Sequence, residues 1–318
     1  MKAIAYQTYG PPDVLFSQEL ATPTPGDGEV LIRVRAASVN PIDWHYMRGE
    51  PRFIRAFIGL RKPKKTRLGV DVAGRVEATG NGARRFKPGD EVFGTCRGAW
   101  GEYVCAPESA IASKPPNVTF EQAAAVGVAG FTALQGLRKG KIHSGQNVLI
   151  NGASGGVGTF AVQIAKSFGA TVTGVCSARN AEMVRSIGAD RIIDYARDDF
   201  TSGNDRYDLI FDCIGGHSAS ALKRVMSANG ICVAVGSKEG RGFLGALTRP
   251  IASRFTSKKF AVAMARSRQD DLITISDLMA SGKVTPVIDR CYGLSETREA
   301  VAHVEEGHAR GKVIITMP

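Results

Sequence analysis

No apolar run in this 318-residue chain approaches the roughly 18 residues needed to cross a bilayer. The opening MKAIAYQTYG holds no long apolar leader, so a secretory signal is not expected. Six cysteines are present but scattered, with no C-x-x-C pair and no C…C/H…H spacing. A disulfide framework and a structural zinc site therefore have no basis in the spacing. Cys176, Cys213 and Cys232 sit in apolar, strand-like surroundings and read as buried free thiols of a reducing compartment. A cytoplasmic location is the expectation. There is no internal repeat and no low-complexity tract.

Acidic residues are the other scarcity. Lys and Arg number 41 against 30 Asp and Glu, a net charge of +11. Residues 52–67 hold seven basic residues and no acid, and residues 238–268 hold eight against Glu239 alone. Solvated loops account for such runs, and so does an anionic partner: a phosphate-bearing cofactor, an acidic membrane surface or nucleic acid. No RNP-like aromatic motif or helix-turn-helix accompanies them, so nucleic acid is not expected. Phe53, Ile54, Phe57, Ile58 and Leu60 interleave with the first run, which makes peripheral contact with an anionic membrane worth testing. The segment 53–67 also reads as a lid.

Against these absences stands GQNVLINGASGGVGTFAVQIAK, residues 145–166. Apolar Val148–Ile150 enters a loop with Gly152, Gly155, Gly156 and Gly158, and a helical segment follows. Strand, glycine loop and helix make a dinucleotide-binding turn, in which backbone N–H groups at the helix start face a pyrophosphate. In the G-x-G-x-x-G frame the first glycine is Ala153, which fits if its φ is negative. Ala153, Ser154, Gly155, Gly156 and Val157 are the cofactor-binding candidates here. Gly152-Ala153-Ser154-Gly155-Gly156 also matches the G-x-S-x-G nucleophile elbow, but no HGGG-type oxyanion loop precedes it. His303 and His308 lie in a polar helical segment.

The rest of the chain reads in three parts. Residues 1–118 are β-rich, with strands at 2–6, 29–36, 70–79, 91–94 and 101–105 punctuated by Pro and Gly. Thr119, with Gln122 three residues on, predicts a capped helix start. Residues 147–236 alternate strands (148–151, 171–176, 191–194, 208–213, 230–235) with helices (156–168, 180–187, 217–227), which predicts a parallel sheet. Further strands are expected near 259–264 and at 311–316.

Several stretches together resemble the medium-chain dehydrogenase/reductase superfamily, in its zinc-free quinone oxidoreductase branch. They are residues 37–44 (ASVNPIDW), 69–74 (GVDVAG), 86–92 (FKPGDEV), the 123–134 helix, the 145–166 turn, Gly188-Ala189-Asp190 and 306–313 (EGHARGKV). The resemblance implies an α/β fold in which a Rossmann doubly wound parallel sheet is inserted into a GroES-like β-rich domain. The parts would be 1–118, the Rossmann domain 119–270 and a return segment 271–318, with the substrate cleft between the domains. It also implies a homodimer formed through the Rossmann sheet edge. Zinc-dependent members carry a Cys near Asn40–Asp43 and a His-Glu pair after the glycine equivalent to Gly69. Here the text is Asn40-Pro41-Ile42-Asp43 and Gly69-Val70-Asp71, so no metal ligand is expected.

The second Rossmann strand ends at Ser177-Ala178-Arg179-Asn180, where an NAD site would place an acid for the ribose 2′-OH. Ser177 and Arg179 suit a 2′-phosphate, so NADPH is the expected cofactor; a surface residue in a helix cap is the other reading of Arg179. By resemblance Tyr195 packs beside the adenosine phosphate; core packing is its rival. Thr132 is either a hydroxyl donor on the nicotinamide side or helix packing. The resemblance places Asn40, Asp43 and Tyr46 near the reacting atoms, with Tyr46 the first proton donor and His45 or water the others. Asn40 and Asp43 also read as caps of a local turn, and Trp44 as barrel packing. The function that follows is NADPH-dependent, zinc-independent hydride transfer to a quinone or α,β-unsaturated carbonyl. The alternative is an NADPH-binding structural or regulatory protein with little catalysis.

Overall fold

The strands follow from where apolar residues alternate, and the breaks between them fall at proline and glycine. The computed structural model describes residues 1–236 and 257–318. Most of the second basic run (Lys238, Arg241, Arg249 and Arg254 included) and the 237–257 loop, save Ser257, lie outside them. Two compact units emerge, Met1–Val128 with Ser267–Ala280 and Pro286–Pro318, and Ala129–Arg266 with Ser281–Thr285.

In the first unit, β1 (Lys2–Ala5) and β2 (Phe16–Glu19) form an antiparallel pair. Then come β3 (Glu29–Val39), β4 (Asp71–Thr79), β5 (Glu91–Thr95), β6 (Tyr103–Pro107) and β7 (Ile111–Ser113). In β3, buried Ile32, Val34 and Ala36 alternate with exposed Arg33 and Arg35, the period-two signature of a half-covered sheet. β3 outruns its expected end because Ala36–Val39 pair with a strand from the C-terminus, which no local pattern could show. β2 and β7 were not expected. β2 never alternates fully buried with exposed side chains, and β7 spans three residues. Helix α1 (Pro41–Arg48) follows β3, and a short helix α2 (Arg55–Ile58) comes after it.

The helix start at Thr119 forms as expected. Thr119 Oγ1 accepts from the Gln122 N–H at 3.2 Å and Gln122 Oε1 from the Thr119 N–H at 3.0 Å, a cap that contributes ~1 kcal/mol. It opens α3 (Phe120–Ala124), after which α4 (Gly127–Lys139) begins. The unit boundary lies at 128/129 rather than 118/119 because this stretch packs on the first sheet. The Val128 N–H donates to Asp71 Oδ1 at 2.8 Å.

The second unit is a six-stranded parallel sheet. Its strands are β8 (Asn147–Asn151), β9 (Thr171–Cys176), β10 (Arg191–Asp194), β11 (Tyr207–Asp212), β12 (Met226–Ala234) and β13 (Lys259–Val262). The order is β10-β9-β8-β11-β12-β13, the 3-2-1-4-5-6 order of a doubly wound dinucleotide-binding sheet. Val148, Leu149 and Ile150 are fully buried, so β8 is a continuous apolar run. The returning helices are α5 (Gly156–Ser167), α6 (Ala181–Ser186) and α7 (Ala219–Val225). Thr285 joins this unit through Gln163, whose side chain bonds its N–H and its carbonyl at 2.7 and 3.0 Å.

The chain then re-enters the first unit. Helix α8 (Gln269–Ala280) is tied there by Gln269, whose amide donates to the Ile111 carbonyl at 3.0 Å. β14 (Ile288–Gly293), α9 (Thr297–Glu305) and β15 (Lys312–Thr316) complete the order β14-β15-β3-β4-β5-β7, with β6 paired to β3. Trp100 is the largest fully buried side chain of this core, and its indole N–H donates to the Ser38 carbonyl at 3.2 Å. Trp44 packs against the same core, as expected. No helix among the described residues is long and apolar enough to cross a membrane.

Candidate active site

In the second unit the glycine turn is built at the carboxyl end of β8. Gly152 takes φ 87°, which only glycine adopts without strain, and its N–H and that of Ala153 both donate to the Val175 carbonyl. Gly155 is the N-cap of α5 in extended conformation. A Cβ on Gly158 would lie 2.0 Å from the Gly152 carbonyl oxygen, so this glycine lets helix and turn approach. Ala153 is not among the positive-φ residues, and it is fully buried. The methyl of Ala153 fits because Gly174 faces it; a Cβ at Gly174 would come within 3.1 Å. The substituted first glycine is thereby explained.

The first N–H groups of α5, beginning at Gly156 and Val157, have no intrahelical acceptor and face a half-exposed turn. That is the donor set a pyrophosphate takes. Ser154 Oγ accepts from Asn180 Nδ2 at 3.0 Å; among the described residues no imidazole or carboxylate bonds it, so the hydrolase-elbow alternative lacks its base there. Asn180 is a residue that sequence reasoning passed over. It is 4% exposed and its Oδ1 has no hydrogen-bond partner among the described residues, which leaves a buried acceptor beside the turn. Such an orphan is rare in a finished site.

Ser177 follows β9 and is half-buried, and Arg179 is exposed and pairs with no acid among the described residues. Tyr195 follows β10, its N–H donating to the Cys176 carbonyl at 3.3 Å. Its side chain is 63% exposed, which rules out core packing. Adjacent parallel strands thus bring Ser177, Arg179 and Tyr195 to one sheet end, beside Ala153–Val157. Thr132 is on α4 rather than at these strand ends, and is 7% exposed.

In the first unit a buried polar cluster surrounds the start of α1. Pro41 pre-sets the first helical φ, Asn40 is the N-cap, and Gly49 closes the helix at φ 61°. Asp43 Oδ2 accepts the Asn40 N–H at 2.8 Å, and Oδ1 the Gly69 N–H at 3.1 Å. Both oxygens are thus used on backbone, and Asp43 is 1% exposed. It positions the helix, the cap reading of the sequence. Burial pushes its carboxyl up to about 7, against the downward pull of those N–H groups.

Asn40 is 2% exposed and turns inward as well. Its amide donates to Asp71 Oδ2 at 3.0 Å, and its oxygen accepts from Lys312 Nζ at 2.5 Å. Ser38 Oγ donates to the same Asp71 oxygen at 2.7 Å. Nothing in the local sequence links Lys312 to Asp71, because 241 residues separate them.

Tyr46 is the expected reacting residue that reaches out, at 38% exposure. Inward, Tyr6 is buried and its phenol lies above the ordinary value, with the nearby Tyr46 adding to the effect. His45 is half-buried; its Nδ1 lies 3.0 Å from the Glu50 carbonyl and its ring stacks on Trp44. Because a carbonyl only accepts, Nδ1 carries the hydrogen. Burial lowers the His45 pKa, so the ring is neutral at pH 7. Among the described residues no group of three His, Cys, Asp or Glu side chains is arranged to hold a metal ion.

Comparison with known proteins agrees with this fold. Residues 26–116 match the alcohol dehydrogenase GroES-like domain, and residues 187–315 the zinc-binding dehydrogenase family. The chloroplast envelope quinone oxidoreductase homolog of Arabidopsis thaliana is 33% identical, over 99% of this chain and 98% of its own. The NADPH-dependent alkenal/one oxidoreductase of the same plant is 33% identical over 99% and 79%. The structure of the quinone oxidoreductase from Coxiella burnetii superposes with a TM-score of 0.89 at 30% identity, over 100% of this chain and 99% of that one. A GroES-like unit joined to a Rossmann-like parallel sheet is the fold of a medium-chain oxidoreductase. The chain belongs to the medium-chain dehydrogenase/reductase superfamily, in its quinone oxidoreductase branch.

Proposed function

We propose that this protein is an NADPH-dependent reductase that delivers hydride to a quinone or an α,β-unsaturated carbonyl without zinc. The observation that carries the reading is Arg179, exposed and without an acidic partner among the described residues, beside Ser177 at the end of β9, where an acid would select NADH. Held at the glycine turn, NADPH would supply the hydride. The N–H groups at the start of α5 would hold its pyrophosphate, and Ser177 and Arg179 its 2′-phosphate. The buried orphan Oδ1 of Asn180 offers that ligand an acceptor.

The protein's own chemistry is the proton. A quinone gains a hydride and a proton on the way to the quinol; an enone gains hydride at the β-carbon and the proton at the α-carbon. Tyr46 is the favoured donor, because its side chain is exposed while His45 is neutral and commits its N–H to Glu50. Asn40 and Asp43 fix the helix that carries Tyr46. A metal-free mechanism agrees with the family's zinc positions, where Asn40-Pro41-Ile42-Asp43 holds no Cys and Val70-Asp71 stands in place of the His-Glu pair. The names of the relatives support the acceptor class.

Two further parts of the reading concern setting. Among the described residues no strand pairs with the outer edge of β13, which supports a homodimer through that edge. Six free cysteines suit the reducing cytoplasm. The deciding experiment measures NADPH oxidation against a panel of quinones and enones, with binding followed by fluorescence. Turnover that survives chelation is expected. Tight binding with no turnover on any acceptor would make the protein a cofactor-binding partner instead.

A further inference from the structure

Residues 51–65 carry a combination that neither the glycine turn nor the polar cluster uses. Pro51 opens a single 3-10 turn, Arg52–Ile54, that runs into α2. Phe53 and Phe57 are four residues apart and share one helical face. They are 64% and 79% exposed, and Leu60, just past Gly59, is 75% exposed. Scattered exposed apolar side chains are ordinary, whereas three large ones this close make a patch that needs a partner.

The patch is held in place. The Arg55 guanidinium donates to the carbonyls of Gly49 and Arg48 at 2.9 and 3.1 Å and lies over the Tyr9 ring at 4.6 Å. The Tyr9 hydroxyl donates to the Gly59 carbonyl at 2.6 Å. Behind the patch, Arg67 donates to the carbonyls of Gly98 and Tyr103. Arg55 and Arg67 are thereby committed. Arg52, Arg61, Lys62, Lys64 and Lys65 are all exposed, and none pairs with an acid among the described residues.

An apolar tip ringed by uncompensated cations has the chemistry of a membrane-surface anchor. The rings and Leu60 enter the headgroup boundary while the cations meet lipid phosphates. A nucleic acid would take up the cations but leave Leu60 against water. We propose that residues 51–65 dock the protein on an anionic lipid bilayer.

The test is co-sedimentation of the full chain with vesicles of phosphatidylcholine doped with phosphatidylglycerol, and with phosphatidylcholine alone. The protein is expected to pellet with the doped vesicles only, and to be released by high salt. The variant F57S/L60S is expected to lose at least about tenfold in partitioning. Replacing Lys62, Lys64 or Lys65 by Gln should cost about fivefold per charge. Turnover of a water-soluble short-chain quinone should be unchanged in all of them, which also shows that they fold. Failure of the wild type to pellet with doped vesicles overturns the proposal, as does equal pelleting of F57S/L60S. Retention on RNA in place of vesicles overturns it too. A changed KM for the soluble quinone with intact vesicle binding would make the segment a lid instead.

Discussion

Lys312 Nζ lies 3.3 Å from Asp71 Oδ2, with 4% of one side chain and 0% of the other exposed. An ion pair this enclosed is expensive to half-dismantle, because the survivor is a buried lone charge. Lys312→Met or Asp71→Asn alone should each lower stability by ~3–5 kcal/mol in urea denaturation. The double variant should lose less than the sum, since neither charge is left behind. Strict additivity would show that the two side chains do not act as a unit.

Asp43 gives the protein a pH signature. Its folded-state value of about 7 lies above the ordinary 3.8, so between those limits the native state holds a proton that the unfolded chain has lost. The stability it contributes is full below about pH 4 and is lost as pH rises to about 7. Denaturation midpoints collected from pH 5 to 8 should therefore fall less with rising pH in Asp43→Asn than in wild type. Parallel curves for the two proteins would place the titration elsewhere.

Arg179→Ala should separate the two coenzymes. Losing charge-assisted bonds to a 2′-phosphate, at ~1.5–3 kcal/mol each, corresponds to a rise of about 10- to 100-fold in KM for NADPH. KM for NADH should not move. An equal change for both would mean that Arg179 shapes the turn rather than reading the phosphate.

Tyr46→Phe removes only the phenolic oxygen. If that oxygen hands over the proton, kcat should fall by about 100-fold or more while KM holds. His45→Gln should leave kcat near wild type, because the ring is neutral and bonded to Glu50. Full activity in both variants would make water the donor.

Local chemistry was the part of this molecule that could be read from its residues. Thr119 and Gln122 announce their helix because the cap is made within four positions. The turn at 152–158 is legible because a close approach and a positive φ both demand glycine. Substituted Ala153 needed the structure, since its room comes from Gly174 on the next strand. Tyr195 could not be assigned from pattern, because exposure alone separates a surface ring from a core ring. Asp43 divided between two readings until both its oxygens were seen on backbone N–H groups. Asp71 and Lys312 stayed hidden because strand pairing, not period, brings residues so distant in sequence together.

The position of β15 between β14 and β3 has a consequence for how the protein is made. β15, synthesised long after β3 and β4, takes an interior place in the first unit's sheet, and it delivers the ammonium that pairs with Asp71. During translation residues 1–128 lack the ammonium for that carboxylate until residues 312–316 have left the ribosome. The nearly continuous stretch from 129 to 266, joined by residues 281–285, needs no strand from so far along the chain, so it is equipped to fold before the first unit is complete.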